Sequence, residues 1–472
     1  MTTQTKITLQ EKMFSQLRDR SFFEQAKKYA FSYLDEVYDR NVFPTPEAVN
    51  RLKEFYEPMP QQPAEPHEIL QQLYEVGAPA TMAQISGRYF GFVNGSTVPG
   101  AAGARWLADI WDQNAALYVM SPVASYVEAV SEKWVVDLLG LPPETAAGFV
   151  GGSTLAGMCG LAAGRNELLK RQGWDVNADG LFGAPSIRVI VGGQVHAAIS
   201  KALSLLGLGR ARVEVIPVDD QGRAIAGKMP KLDSTCLVLA QAGNVNSGAF
   251  DPIDEICEAA HEAGAWVHVD GAFGLWAASS RSTRHLAKGI EMADSWSVDA
   301  HKLINAPYDC GIVLCRSREA LVSAMHITGS YLIDSERRDN MHYAPEMSRR
   351  ARGIDVWATL KSLGRDGLEE LIDRLCSHAR RFGEKLGAEG FHILNDIVFN
   401  QVLLTADTPE QTQAVLVAVQ QSGELWCGGT VWNGQPAIRI SVCSWATTEA
   451  DVDRSVAAFA AALAGVKSGR VQ

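Results

Sequence analysis

Between residues 187 and 317 the chain keeps returning to short runs rich in Val, Ile and Leu. They are IRVIVGG (187–193), RVEVIPV (212–218), TCLVLAQAG (235–243), AWVHVDGA (265–272), SWSVDAHK (295–302) and GIVLCRS (311–317). Helix-like segments such as DPIDEICEAAHEAG separate several of them. Strands this apolar are buried on both faces, and parallel neighbours need a crossover, usually a helix. The alternation therefore restricts this region to an α/β unit with a mostly parallel sheet. The last two runs are close enough in sequence to be joined by a short link.

The flanks read differently. Residues 1–80 are polar and helical in pattern, with a Pro-rich break at YEPMPQQPAEPHE. Beyond about residue 340 a long helical stretch leads to two β-like runs, FHILNDIVFNQVLLTA and PAIRISVCSW, and then to a terminal helix capped by Thr448 or Thr447. The expected division is a helical arm over 1–95, a large domain over 96–335 and a small α+β domain over 336–472. The arm is too short to bury Phe14, Phe22, Phe23 and Tyr29 by itself, which predicts a homodimer. The net charge of −11 argues against a general nucleic-acid or membrane-surface binder. The polar start does not read as a secretory signal, and no run of about 18 apolar residues occurs. Eight cysteines without a C-x-x-C pair read as buried thiols in a reducing compartment, hence a cytoplasmic protein without a zinc site.

Chemistry-bearing residues cluster at the ends of the β runs. FVGGSTLAGMCGLAAGR (149–165) is a glycine-rich turn that opens a helix on Ser153 and Thr154, a natural phosphate site. His196 follows one strand and Asp270 ends another. Lys302, in SWSVDAHKLINAPYDCG, sits among small and apolar residues although its charge is costly to desolvate. Taken singly these are a plain helix cap, a structural histidine, a turn-capping carboxylate and an unusual lysine. Together they are what pyridoxal 5′-phosphate needs: an amine for its aldehyde, a carboxylate for its ring nitrogen, a helix start for its phosphate and a flat side chain against its ring.

The same stretches, with GRYFGF (87–92) and SRRARGIDVW (348–357), resemble the group II pyridoxal-phosphate amino-acid decarboxylases over roughly residues 65–450. The resemblance implies fold type I, with a mostly parallel seven-stranded sheet in the large domain. It implies decarboxylation of an L-amino acid to amine and CO2 through an external aldimine and quinonoid, with an aromatic substrate slightly favoured over an acidic one. Lys302 would carry the cofactor, Asp270 would pair with the ring nitrogen, Ala272 would pack near the ring and His196 would stack on it. Ser153, Thr154 and His301 would contact the phosphate. Arg349 would recognise the substrate carboxylate, with Tyr89 and Phe90 lining the pocket and Trp106 and Tyr118 as further aromatics; Arg88 could serve a second carboxylate or an ion pair. Tyr343, with Tyr331 in reserve, would deliver the proton from a polar loop over 331–350. The chain departs from the family at Asp299-Ala300, where Asn-Pro is usual, at Ile-Ser-Gly-Arg (85–88) and at GNVNSGAFD (243–251). A carbon–carbon lyase, an aldehyde-forming deaminase, an aminotransferase and an inactive cofactor-binding regulator stay open on the same site.

Overall fold

The structure is a computed structural model that describes residues 7–327 and 337–470. In the arm, Thr8 caps Leu9–Arg18 (α1) by a reciprocal pairing with Glu11. Ser21–Glu36 (α2) follows, and neither helix contains a fully buried residue. Residues 56–65 form no helix, as Pro58, Pro60 and Pro63 dictate. Pro99–Trp111 (α3) and Pro122–Leu138 (α4) both open on a proline, which suits the first turn because its missing N–H has no intrahelical partner there.

Seven strands make the main sheet: Ala146–Val150 (β1), Arg188–Gly192 (β2), Glu214–Ile216 (β3), Cys236–Gln241 (β4), Trp266–Asp270 (β5), Ser295–Asp299 (β6) and Gly311–Cys315 (β7). Their order is β1-β7-β6-β5-β4-β2-β3. The pairs β3·β2, β2·β4, β4·β5 and β5·β6 are parallel. β7 runs antiparallel to both β6 and β1, because the short link over 300–310 only reverses the chain and cannot cross the sheet. Helices Ser153–Arg171 (α5), Ala197–Leu205 (α6) and Ile253–Glu262 (α7) connect the parallel strands. The mostly parallel sheet expected from the apolar runs is therefore present.

After Arg318–Met325 (α8), the long helix Arg352–Ala388 (α9) is kinked at Gly364, whose φ of 61° only glycine adopts readily. An antiparallel sheet of order β10-β11-β9-β8 closes the C-terminal part. Its strands are His392–Ile393 (β8), Gln401–Thr405 (β9), Gly428–Trp432 (β10) and Gln435–Ser441 (β11). β10 escaped the sequence reading, since its glycines and threonine dilute the apolar signal. Pro409–Gln421 (α10) and Glu449–Lys467 (α11) pack there, and Thr448 caps α11 in a reciprocal pair with Asp451. All eight cysteines are buried free thiols. No helix among the described residues is long and apolar enough to cross a membrane.

Candidate active site

The parallel strands β2, β5 and β6 end at one edge of the sheet, where open α/β sheets place ligands. Asp270 and Asp299 are the last residues of their strands, and Ala272 ties the two ends together. Its N–H donates to Asp270 Oδ1 at 3.2 Å, and its carbonyl accepts from Asp299 N–H at 2.8 Å. Lys302 lies just beyond β6 on a turn organised by Asn305, a buried residue with φ of 57°. Asn305 Oδ1 accepts from Ser96 N–H (2.8 Å) and Trp445 N–H (3.0 Å), while Nδ2 donates to the carbonyls of Leu303 (2.7 Å) and Cys443 (3.0 Å). Two distant segments, around Ser96 and around Cys443–Trp445, thus fix the lysine turn. Gly95 packs so tightly on it that an added Cβ would lie 2.1 Å from the Lys302 carbonyl oxygen.

Asp299 is the charge centre of the site. Its carboxylate accepts from Ser153 N–H at 2.6 Å and from the Ser153 hydroxyl at 2.7 Å. Lys302 Nζ is 3.0 Å from Oδ2, and His301 Nε2 is 3.5 Å from Oδ1. Burial works to raise the Asp299 pKa, but Lys302, His301 and Ser153 outweigh it and hold the carboxyl below its ordinary range. His301 Nδ1 accepts from Cys310 N–H at 3.1 Å, which leaves the ring proton on Nε2, and burial keeps this ring neutral to lower pH than usual. Tyr308 stacks on His301 with centroids 4.4 Å apart. Gly152 borders this edge: a Cβ there would lie in ordinary contact, 3.5 Å from His301 Cε1 and 3.7 Å from Asp299 Oδ1.

Opposite stand Asp270 and His196. Burial raises the Asp270 pKa, and the charges of His196 and Lys302 recover part of that shift. Burial lowers the His196 pKa, with Asp270 pulling it up and Lys302 and Arg439 pushing it down. His196 Nδ1 accepts from Ala198 N–H at 3.2 Å as the cap of α6, so a neutral His196 carries its proton on Nε2. Arg439 was missed by the sequence reading. It lies in β11, where Nη1 donates to the Val245 carbonyl at 3.2 Å and the buried Nε makes no hydrogen bond. Burial depresses its pKa, and no carboxylate among the described residues pairs with it. The signal was a lone arginine inside the apolar run PAIRISV, the same kind of signal that exposed Lys302.

Lys302, Asp270, His196, Ala272, Ser153, Thr154 and His301 gather at this edge of the sheet. Other expected site residues are placed elsewhere. Arg349 does not reach the site: its side chain is 1% exposed, and its Nη2 bonds both carboxylate oxygens of Glu128, at 2.9 and 3.0 Å. A guanidinium held that way is unavailable to a substrate carboxylate. Phe90 is fully buried, edge-on to Phe382 of α9, and so packs the core instead of lining a pocket. Tyr89, 3% exposed, stacks on Trp426 at 5.4 Å, and the exposed Phe92 stacks on the same indole at 5.2 Å. Tyr343 is also corrected. Its hydroxyl accepts from Arg318 at 2.7 Å and Arg338 covers its ring at 3.9 Å. Its backbone lies over Gly148 in the middle of β1, and its side chain turns to Arg318, which begins α8 beyond the end of β7 opposite to the Lys302 turn. The reserve, Tyr331, lies outside the described residues. Arg88 is not placed to hold a second substrate carboxylate; the ion-pair alternative is what the structure shows, with Glu424 at 3.7 Å and Asp451 at 3.9 Å, on a buried side chain that also donates to the carbonyls of Tyr38, Arg40 and Glu424. Trp106 is 47% exposed on α3, and Tyr118 lies 6.3 Å from Tyr126.

Residues 46–406 match the family described as "Pyridoxal-dependent decarboxylase conserved domain". Among curated relatives, the acidic amino acid decarboxylase GADL1 of Mus musculus is 28% identical over 338 residues, covering 68% of this chain. That match spans only 60% of the relative's own length. The aromatic-L-amino-acid decarboxylase of Bacillus atrophaeus is 26% identical, over 74% of this chain and 73% of that protein. The fold is similar to that of Oryza sativa TDC, solved with PLP and tryptamine, with a TM-score of 0.86, 21% identity and coverage of 95% and 98% of the two chains. Mouse CSAD gives a TM-score of 0.84 at 22% identity, covering 94% of this chain and 99% of that one. With the family match spanning most of its length and a lysine, an aspartate and a histidine gathered at one sheet edge, this chain belongs to the pyridoxal-dependent decarboxylase family.

Proposed function

We propose that the chain decarboxylates an L-amino acid to its amine at the Lys302 site, with pyridoxal 5′-phosphate as cofactor and an aromatic side chain on the substrate. The observation that carries the reading is the convergence of Lys302, Asp270 and His196 at one buried edge, each in a different strand-end segment. The residues fit the cofactor: a buried carboxylate, a flat neutral ring, an amine and a glycine-opened helix start face one another. When bound, the cofactor supplies an aldehyde and a cationic ring that draws electrons from the substrate's α-carbon. Lys302 supplies the amine that holds it. Asp270 keeps a proton on the ring nitrogen. His196 packs flat and presents Nε2–H to the reacting face. Thr154 N–H would point at the phosphate, with His301 Nε2–H, 3.5 Å from Asp299 Oδ1, beside it. Arg439, a buried cation lacking a carboxylate, takes the place first given to Arg349 and holds the substrate's carboxylate.

The aromatic preference rests on the wall beside Lys302. Phe92 and Val93 both have positive φ, 52° and 58°, which turns Phe92 outward just before Gly95 meets the lysine turn. Phe92, Trp426 and Tyr89 form one stack, and Tyr308 adds a ring on His301. An acidic side chain would need a second cation where this wall offers π faces. An amino-acid panel, read by evolved CO2 and product mass, is expected to give amine from aromatic acids at least about tenfold faster than from glutamate or aspartate, since burying one ring or stranding one charge differs by more than 1.4 kcal/mol. Faster turnover of acidic substrates would reject the aromatic reading. CO2 accompanied by aldehyde in place of amine would favour the aldehyde-forming alternative, which the displaced position of Tyr343 leaves open.

A second copy of the chain is proposed as the partner of an exposed apolar face. Phe31 of α2 lies 6.1 Å from Trp106, and Leu107, Ile110 and Trp111 extend that face along α3, at 47–68% exposure. Patches of this kind on a single protomer mark association surfaces. Light scattering at micromolar concentration is expected to return twice the 51.1 kDa chain mass. Replacing Ile110 by Asp should shift the mass toward one chain; an unshifted monomer mass in the parent protein would contradict the proposal.

A further inference from the structure

The phosphate end of the site contains an anion of its own. Ser153 opens α5, and its N–H is one of those a helix start leaves without an intrahelical partner. That N–H and the Ser153 hydroxyl both terminate on Asp299, at 2.6 and 2.7 Å. Lys302 Nζ stands 3.0 Å from the same carboxylate and His301 Nε2 3.5 Å from it. Asp299 is 2% exposed and ends a core strand, so it is held in place rather than swinging in from the surface. The position is one of those at which the sequence departs from Asn-Pro to Asp-Ala. An amide there could bond Ser153 without adding charge; a carboxylate adds a full negative charge beside the helix start.

Resting on the pyridoxal-phosphate reading, we infer that Asp299 is a positioning residue that takes over both donors of Ser153 and, through its charge, loosens the site's hold on a phosphate group. Ser153 then serves the architecture, joining α5 to β6 and the lysine turn, and the phosphate rests on Thr154 N–H, His301 and the field of the helix. The arrangement gives the cofactor's grip two unequal parts. Lys302 provides the covalent part. The phosphate part is weakened by like-charge repulsion, which acts on any phosphate or sulfate dianion and not on an uncharged analogue.

The experiment uses cofactor-stripped full-length protein and reads binding, not turnover. Calorimetry with inorganic phosphate and with sulfate measures the anion part, and the ratio of pyridoxal phosphate to pyridoxal affinity measures it on the cofactor. Asp299→Asn is expected to tighten both anions about tenfold or more and to raise that ratio by a similar factor, a change of one like charge at close range being worth at least 1.4 kcal/mol. Ser153→Ala provides the second arm. If its donors belong to Asp299, phosphate affinity should change by less than about threefold; a loss of a charge-assisted hydrogen bond to the phosphate would instead weaken it about tenfold or more. Unchanged or weaker anion binding in Asp299→Asn, or a tenfold loss in Ser153→Ala, overturns the inference. Failure of the parent protein to fix pyridoxal phosphate on Lys302 with borohydride would reject the underlying reading instead, and the two results are separable because the anion titrations need no covalent bond.

Discussion

Lys302→Ala is expected to yield a folded protein that loses pyridoxal phosphate on gel filtration and releases no measurable CO2. The turn that carries the lysine is built by Asn305 and Gly95, and the Nζ contributes one ion pair, to Asp299 at 3.0 Å. Truncating the side chain therefore removes chemistry with little loss of packing. The amine is the group that anchors the cofactor and later releases the product, so its removal should lower turnover on the order of 10³–10⁶-fold, as loss of a covalent catalytic group does elsewhere. In the parent protein, borohydride reduction followed by peptide mapping should place the cofactor on the peptide containing Asp299-Ala300-His301-Lys302. Recovery of the reduced cofactor on another lysine would remove Lys302 from this role, whatever the activity of the variant.

The residues that could be read from the sequence carry their signal locally. Asp270 and Lys302 are each a charged group at or just past the end of an apolar run, and the run itself announces a buried strand. Ser153 and Thr154 follow a strand and two glycines, and His196 does the same after Gly192 and Gly193. The sheet was legible for the same reason. What failed depended on contacts between distant segments. Arg349 could not be seen to meet Glu128, 221 positions away, nor Tyr343 to meet Arg318 and Arg338. Phe90 and Phe92 differ in sequence by two places and in exposure from 0% to 61%, because positive φ at Phe92 and Val93 breaks the alternation that a strand would impose. Asp299 is an intermediate case: the substitution was visible, but its hold on Ser153 needed the fold.

The second large effect concerns Asp270. Asp270→Asn keeps the shape of the side chain and an oxygen for the Ala272 N–H, now at 3.2 Å, and changes only the charge. Cofactor should still attach to Lys302, so its absorbance per chain should remain. Decarboxylation should fall about 10²–10³-fold, the usual loss when one preorganised electrostatic partner is removed, because an amide cannot hold a proton on the ring nitrogen. Stability should move the other way. Burial raises the Asp270 pKa above its value in the unfolded chain, so the folded state binds the proton more tightly and loses stability as pH rises through that window. At neutral pH an uncharged amide escapes that penalty, and the cofactor-free Asp270→Asn protein should melt higher than the parent, with the difference shrinking as pH is lowered toward the ordinary carboxylate range. His196 supplies a further check, since Asp270 pulls its pKa upward against burial; in the variant its imidazole should protonate at still lower pH, observable by NMR. Reduced activity with a higher melting temperature identifies a carboxylate kept for chemistry at the expense of stability. If melting temperature and activity fall together while cofactor is lost, Asp270 is holding strand ends together and the electron-withdrawing role must be sought in another group.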